Sequence, residues 1–201
     1  MLSIFTALAN IVIESGFSTA LIRKNDATAT DYSSVFYFNM GASIVVYLLL
    51  FICAPFIADF FNQPSLTLIA RIVFLAIPVN SLSLIQTTIL TKQINFKKLT
   101  KVNFISLLAS GLLSLYMAYT GCGVWTLVVQ PVSLAIVRSM LLWVASSWRP
   151  VKEFSIQSIK ELFAFASNLM LSSIINTGFL NIYSVFIGKI YPLQQLGYYS
   201  Q

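Results

Sequence analysis

Apolar residues fill this chain in long blocks, and polar residues recur inside those blocks mostly at intervals of three or four positions. Four stretches of at least 20 residues carry no charged side chain: 32–58, 72–91, 102–137 and 162–188. A helix needs about 20 mostly apolar residues to cross a bilayer. The pattern therefore predicts an integral membrane protein whose chain crosses the membrane several times.

Turn-forming residues divide these blocks into six predicted membrane-crossing helices. The uncharged run at 102–137 is too long for one crossing, and the Gly121-Cys122-Gly123 turn separates it into two. Pro78 interrupts the third predicted helix. The predicted segments are 2–22, 33–57, 66–90, 102–120, 124–144 and 162–188. We expect an all-α fold, a polytopic bundle of transmembrane helices.

Composition supports this class and excludes several others. Of the 201 residues, 58% are hydrophobic and 9% are charged, whereas soluble proteins average about 25% charged residues. Histidine is absent, and Cys53 and Cys122 have no neighbour at metal-ligand spacing. The sequence shows no nucleophile with an adjacent base, no paired carboxylates and no glycine-rich phosphate loop. We therefore expect no enzymatic activity, no metal site, no cofactor and no nucleic-acid partner.

Basic residues concentrate on one side when the loops are assigned to alternate sides of the membrane. Nine of the twelve basic residues fall near 23–32, 92–101 and 146–161, and the positive-inside rule makes that side cytoplasmic. The densest run, KQINFKKLTK at 92–101, is interpreted as a solvated loop that orients the protein. Phe96 and Leu99 are expected to dip toward the membrane interface, and contact with anionic headgroups is the alternative role.

Polar side chains form stripes along five of the predicted helices, because spacing by three or four residues places them on one helix face. Small residues such as Ser106, Ser110 and Ser114 are typical of close helix packing. Asparagine and glutamate favour a shared water-filled cavity instead, because large polar groups are costly to bury in a membrane. The candidate cavity residues are Asn10, Glu14, Asn39, Asn80 and Asn176, with Arg71 and Arg138 as cations that would attract an anionic substrate or reach a nearby interface.

Several stretches resemble the Wzx-type oligosaccharide flippases, which are the polysaccharide transporters of the MOP (multidrug/oligosaccharidyl-lipid/polysaccharide) flippase superfamily. The resemblance extends over essentially the whole chain. The stretches are GFSTALIRKNDATATDYSSVFYFN at 16–39, APFIADFFNQP at 54–64, LTKQINFKKLTKVNFIS at 90–106, GCGVWTLVVQ at 121–130 and the closing segment at 158–200, which begins SIKELFAFASN.

The resemblance implies two lobes of helices that alternate access to a central cationic cavity. This chain would be a fragment, with the N-terminal lobe at 1–145, an interlobe linker at 146–161 and the first helix of the C-terminal lobe at 162–201. The implied function is the flipping of polyprenyl-pyrophosphate-linked oligosaccharides across the bacterial cytoplasmic (inner) membrane, for lipopolysaccharide, capsule or exopolysaccharide biosynthesis. The implied partners are that lipid-linked oligosaccharide, the bilayer and, as a further candidate, the polysaccharide polymerase machinery.

Three alternatives stay open at this point. The first is a cation-coupled exporter of small molecules from the same superfamily, with Glu14 as its coupling site. The second is a membrane enzyme of polysaccharide assembly, which is disfavoured because the longest outer loop, at 58–65, is too short to carry a catalytic site. The third is a scaffold for the assembly machinery that does not transport.

Glu14 is the candidate for a coupling-ion site, because it lies in a predicted span that is otherwise free of charge before Arg23. We expect Glu14→Gln to reduce transport in the full-length protein while leaving expression near normal, since the amide keeps the shape of the side chain but cannot titrate. Transport measured across the working pH range is the test. An unchanged rate in the Glu14→Gln variant would rule out the coupling role.

Overall fold

The computed structural model describes the backbone of residues 3–190, and the side chains at 3–5, 7–8, 11–15, 178 and 180–190 lie outside the description. The regular structure of the described residues is helical, as predicted. Its helices are α1 (Ser3–Arg23), α2 (Ala29–Phe60), α3 (Leu66–Phe74), α4 (Ala76–Ser81), α5 (Leu84–Lys92), α6 (Phe96–Tyr119), α7 (Trp125–Ala145) and α8 (Ile156–Ile190).

Several of these helices are long and apolar enough to cross a membrane. Four described segments meet that test, namely α2, α6, α7 and Ile156–Thr177 of α8. A fifth is obtained when Leu66–Ser81 and Leu84–Lys92, which are bent by 44° at their break, count as one span. α1 covers the first predicted segment with 21 residues. Large side chains such as Leu48 and Leu115 face outward, and the prediction of a multi-pass membrane protein is confirmed.

α2 begins at Ala29, four residues before its predicted start, because a capping box precedes it. Thr28 Oγ1 accepts a hydrogen bond from the N–H of Asp31 at 3.2 Å, and Asp31 Oδ2 accepts one from the N–H of Thr28 at 2.9 Å. Both N–H groups would otherwise lack a partner inside the helix. The 32 residues of α2 extend about 48 Å, so the helix is longer than the hydrocarbon core, which is about 30 Å thick.

The third predicted segment is divided into three helices, and Pro78 lies inside α4 rather than at a break. α3 ends at Phe74. In a continuous helix, the ring of Pro78 would clash with the carbonyl oxygen of Phe74, four residues earlier. The second break follows α4 and frees the carbonyl of Leu82, which accepts a hydrogen bond from Trp143 Nε1 at 3.0 Å. A break at membrane depth is tolerated because protein groups satisfy the freed backbone.

The basic run at 92–101 is mostly helical, which corrects its interpretation as a loop. Only a three-residue turn separates α5 from α6, and α6 starts at Phe96, six residues earlier than predicted. Asn95 explains this start, because its side-chain oxygen accepts the N–H of Lys98 at 3.4 Å. Leu99 is partly buried and packs against the cluster of Leu90, Val102 and Leu142.

α6 and α7 form an antiparallel hairpin around the predicted glycine turn. Gly121 and Gly123 have φ angles of 78° and 57°, in the left-handed region that favours glycine. One face of α6 carries Ser106, Ser110 and Ser114, which are at most 8% exposed, and α6 packs mainly against α7. This arrangement agrees with close helix packing through small residues.

The three segments that the sequence analysis placed on one side meet at one end of the bundle. We call this the basic end: the α1–α2 loop at 24–28, the α5–α6 turn at 93–95 and the linker at 146–155. Lys92 Nζ donates hydrogen bonds to the carbonyl oxygens of Leu21, at 3.0 Å, and of Lys24. The α5–α6 turn is thereby joined to the C-terminal end of α1.

The linker between α7 and α8 is hydrogen-bonded to the start of α2. The backbone N–H of Val151 donates to Ser33 Oγ at 3.0 Å, and that of Ser155 donates to Ser34 Oγ at 2.8 Å. α8 begins at Ile156, so the last six residues of the segment predicted as a linker already belong to this helix.

α1 and α8 share the most extensive helix–helix contact of the described residues. Gly16 lies at its closest point, since a Cβ atom built there would be 2.6 Å from both the Cβ and the carbonyl oxygen of Ala166. Glycine permits this approach because it has no side chain. Near the basic end, the guanidinium carbon of Arg23 stands 4.8 Å from the centroid of the Phe165 ring.

We expect Gly16→Ala to destabilise the detergent-solubilised protein by roughly 1–3 kcal/mol, the usual effect of overpacking, because α1 and α8 must move apart. Thermal unfolding followed by fluorescence-detected size-exclusion chromatography measures the change. Gly41→Ala is the matched control, since a Cβ at this position of α2 meets nothing within 4 Å. Equal melting temperatures for the two variants would contradict the close contact at Gly16.

Candidate functional site

Three of the predicted cavity residues line one continuous groove. Asn10 of α1, Asn80 of α4 and Arg138 of α7 border two cavities of about 350 and 390 Å³, and both cavities share these three residues. The broken third segment provides one wall of the groove, while α1 and α7 provide the others. Each cavity has the size of an ordinary small-molecule site.

The lining of the groove changes along its length. Six of the residues that border the cavity nearer the basic end carry hydroxyl groups: Ser18, Thr19, Ser83, Thr87, Thr88 and Thr91. The other cavity is bordered mainly by apolar side chains, which belong to Val73, Ala76, Ile77, Pro131, Leu134 and Ala135. A ligand with one polar and one apolar part would therefore find a matching surface along the groove.

Most of the α5 hydroxyls direct their proton to their own helix. Thr88 Oγ1 donates to Leu84 O at 2.9 Å and Thr91 Oγ1 donates to Thr87 O at 2.8 Å. A hydroxyl that has donated its proton still accepts hydrogen bonds. The groove thus presents acceptors suited to the hydroxyl groups of a ligand.

Arg138 supplies positive charge to the groove. Its Nε donates to Asn103 Oδ1 of α6 at 3.1 Å, which fixes the guanidinium and leaves its Nη groups without a described hydrogen-bond partner. The ion pairs of the described residues do not include Arg138. The N-terminal end of α5 adds partial positive charge, because the N-cap residue Ser83 makes no side-chain cap. An arginine in this setting can bind a phosphate with two parallel N–H groups.

The other candidates lie elsewhere in the described structure. Asn39 is 1% exposed within the bundle, and neither atom of its amide has a partner. Arg71 stands over the ring of Phe51, with its guanidinium carbon 4.3 Å from the ring centroid. Asn176 is exposed on α8. Glu14 belongs to α1, and its side chain lies outside the described residues.

A cluster of charged residues joins the segments at the basic end. Lys24 Nζ lies 2.9 Å from Asp31 Oδ2 and 3.8 Å from Glu161 Oε2. The hydrogen bond from Lys24 to Asp31 raises the pKa of Lys24 above its ordinary value, against a lowering by burial, and the charge of Glu161 adds to the increase. Thr30 Oγ1 donates to Glu153 Oε2 at 2.7 Å. These contacts connect the start of α2 to both the linker and α8.

Sequence reasoning missed part of this arrangement. Thr19 and Thr88 line the groove, but they directly follow Ser18 and Thr87, the residues that continue the polar stripes at intervals of three or four. The spacing rule therefore assigned Thr19 and Thr88 to another face. The capping box from Thr28 to Asp31 has a readable pattern that would have placed the start of α2 correctly. The contact between Lys24 and Glu161 spans most of the chain and leaves no local signal.

The described groups of the groove are amide, hydroxyl and guanidinium groups, which can exchange hydrogen bonds with a ligand. In the part of the chain that the structure describes, no group of three or more His, Cys, Asp or Glu side chains is placed to hold a metal ion.

Comparison with known proteins gives one family over the full length of the chain. Residues 1–201 match the family described as "Polysaccharide biosynthesis protein". The chain is 27% identical to the teichuronic acid biosynthesis protein TuaB of Bacillus subtilis over 198 residues, and 27% identical to the succinoglycan biosynthesis transport protein ExoT of Rhizobium meliloti over 186 residues. It is 22% identical to the lipopolysaccharide biosynthesis protein WzxC of Escherichia coli over 199 residues.

These relatives are much longer than the chain. The alignments cover 97%, 92% and 98% of this chain but 41%, 38% and 40% of TuaB, ExoT and WzxC. The chain therefore spans about two fifths of the length of the curated relatives it matches. No solved structure matches it.

Proposed function

Because the chain belongs to the polysaccharide biosynthesis protein family, we propose that it forms part of a transporter that flips polyprenyl-pyrophosphate-linked oligosaccharides across the bacterial cytoplasmic membrane. The observation that carries this proposal is the groove where Asn10, Asn80 and Arg138 meet among apolar helices. One relative, ExoT, is named as a transport protein. In this proposal, residues 1–145 form one lobe of the transporter, and α8 is the first helix of the second.

The polar half of the groove suits an oligosaccharide. Sugars and a pyrophosphate cannot cross hydrocarbon unaided, because hydrocarbon offers no replacement for their hydrogen bonds to water. Hydroxyl and amide groups such as those of Thr91 and Asn80 supply replacement partners. The polyprenyl tail is itself apolar, so it can stay in the bilayer while the head group passes.

Arg138 is placed to bind the pyrophosphate. Its backbone position precedes the last residue of α7, Ala145, by a helix length of about 10 Å, and its side chain borders both cavities of the groove. The uncapped N-terminal end of α5 faces the same groove through Ser83 and Leu84. Together, these groups would offset the charge of a pyrophosphate as it leaves water.

The proposed orientation places the basic end in the cytoplasm. It is supported by the segments that carry nine of the twelve basic residues, which lie together at that end, and by the positive-inside rule. Cys122 lies in the turn at the opposite end of α6 and is exposed.

A membrane-impermeant thiol reagent should therefore label Cys122 in intact spheroplasts of a Cys53→Ser strain. It should not label Lys97→Cys in a Cys53→Ser, Cys122→Ser background until the membrane is opened. The reverse labelling pattern would show that the basic end faces outward.

We expect Arg138→Gln to weaken binding of a polyprenyl-pyrophosphate-linked oligosaccharide to the purified chain by about tenfold or more, the usual effect of losing a charge-assisted hydrogen bond. Titration of the detergent-solubilised protein, followed by native mass spectrometry, measures the affinity. The same titration with the free polyprenol tests whether the charged head group is recognised.

Arg71→Gln is the matched control for Arg138→Gln. It removes the same charge from a neighbouring helix, but Arg71 does not line the groove. Its affinity should stay near that of the parent protein. Equal losses in the two variants, or binding of free polyprenol as tight as that of the pyrophosphate, would contradict the assignment of the groove.

A further inference from the structure

A separate cavity of about 520 Å³ opens at the basic end. The α1–α2 loop, the end of α5, the first turn of α6 and the start of the linker enclose it. None of the residues that line it also lines the groove. It is therefore a different site from the one that the proposed function uses.

The charged residues that line the cavity are both basic. Lys92 and Lys98 line it, and none of its lining residues is acidic. Lys92 is held by hydrogen bonds to the backbone carbonyls of Leu21 and Lys24, which orient the ammonium group but do not neutralise it. Lys98 is exposed and belongs to none of the ion pairs of the described residues. Two cations at one cavity favour an anionic ligand.

The rest of the lining is amphiphilic. Ile89, Leu90, Ala145 and the ring of Trp148 give it an apolar wall. Asn25, Gln93 and Ser146 add hydrogen-bonding groups to the same cavity. A ligand with a polar head beside an apolar portion would match both parts of the lining.

The cavity also lies where lipid headgroups are expected. It sits at the ends of helices long enough to span the membrane. Next to its lysines, Ile94 and Phe96 are 74% and 53% exposed, and apolar side chains beside basic ones are typical of the membrane interface. Basic pockets between transmembrane helices in this position suit anionic headgroups.

We propose that this cavity binds the headgroup phosphate of an anionic phospholipid. Lys98 and Lys92 face the phosphate, and the apolar wall receives the glycerol backbone and the first part of an acyl chain. Because residues 146–148 line the cavity, a bound lipid would hold the start of the linker against α5 and α6. This site goes beyond the proposed transport function and does not depend on it.

The test is a lipid titration of the purified 201-residue chain in detergent, with bound lipid counted by native mass spectrometry. Dioleoyl-phosphatidylglycerol should bind at least about tenfold more tightly than zwitterionic dioleoyl-phosphatidylcholine, because only the former has net charge. Lys98→Gln should weaken phosphatidylglycerol binding by about tenfold, as expected for the loss of a charge-assisted hydrogen bond, and Lys98→Arg should retain it.

Lys97→Gln is the matched control, since Lys97 is an equally exposed neighbour that does not line the cavity. Its affinity for phosphatidylglycerol should stay near that of the parent chain. Equal losses in Lys97→Gln and Lys98→Gln, or equal binding of the two lipids, would overturn the site. Inorganic phosphate is titrated in the same way. If it binds the parent chain as tightly as phosphatidylglycerol and displaces that lipid, the cavity is a site for free phosphate and the lipid assignment is overturned.

Discussion

Hydrocarbon offers no hydrogen-bond partner, so each backbone polar group that the bundle carries into the membrane needs a partner from the chain itself or from water in a cavity. The broken third segment depends on this constraint, because its freed carbonyl at Leu82 accepts a hydrogen bond from Trp143. Farther along the bundle, Ser43 Oγ and Ser81 Oγ are 2.9 Å apart and join α2 to α4. Internal hydrogen bonds allow irregular backbone at membrane depth, and this irregular backbone shapes the groove.

The same constraint explains why the groove is lined as it is. A threonine whose proton is donated to its own helix carries no unsatisfied donor, so Thr88 and Thr91 can lie in an apolar helix without a large cost. Arg138 is different, because a guanidinium has five donors and, among the described residues, Asn103 accepts from one of them. The other donors of Arg138 can bind water or an anion, which hydroxyl groups that have donated their proton cannot do in the same way.

The helical class, the approximate positions of the segments and the glycine turn could be predicted because they depend on local patterns. The length of the uncharged runs predicts the membrane-spanning helices, and Gly121 marks the turn between α6 and α7. The starts of α2 and α6 were misplaced by four and six residues, because their caps, Thr28 and Asn95, precede the apolar runs. Ile94, in the turn after α5, has a φ of 55°, a value at which glycine is usual. The residue type at this position therefore gave no signal for the turn.

The candidate site was predictable only in part, for a physical reason. Helical spacing finds which residues share a face, but it does not say which faces meet. Asn10 and Asn80 meet Arg138 because the break in the third segment turns α4 toward α1 and α7. Asn39 and Arg71 have similar sequence signals, yet their helices direct them to other neighbours.

The distribution of charge at the basic end depends on which groups the carboxylates of Asp31, Glu153 and Glu161 contact. Asp31 and Glu161 pair with Lys24, and Glu153 accepts from Thr30, so all three carboxylates join segments that are distant in sequence. None of them reaches the α5–α6 turn. The lysines there form none of the ion pairs of the described residues, and a single distribution of charge both orients the chain and attracts anions. Neutralising these lysines with nearby acids would strengthen local contacts at the expense of both effects.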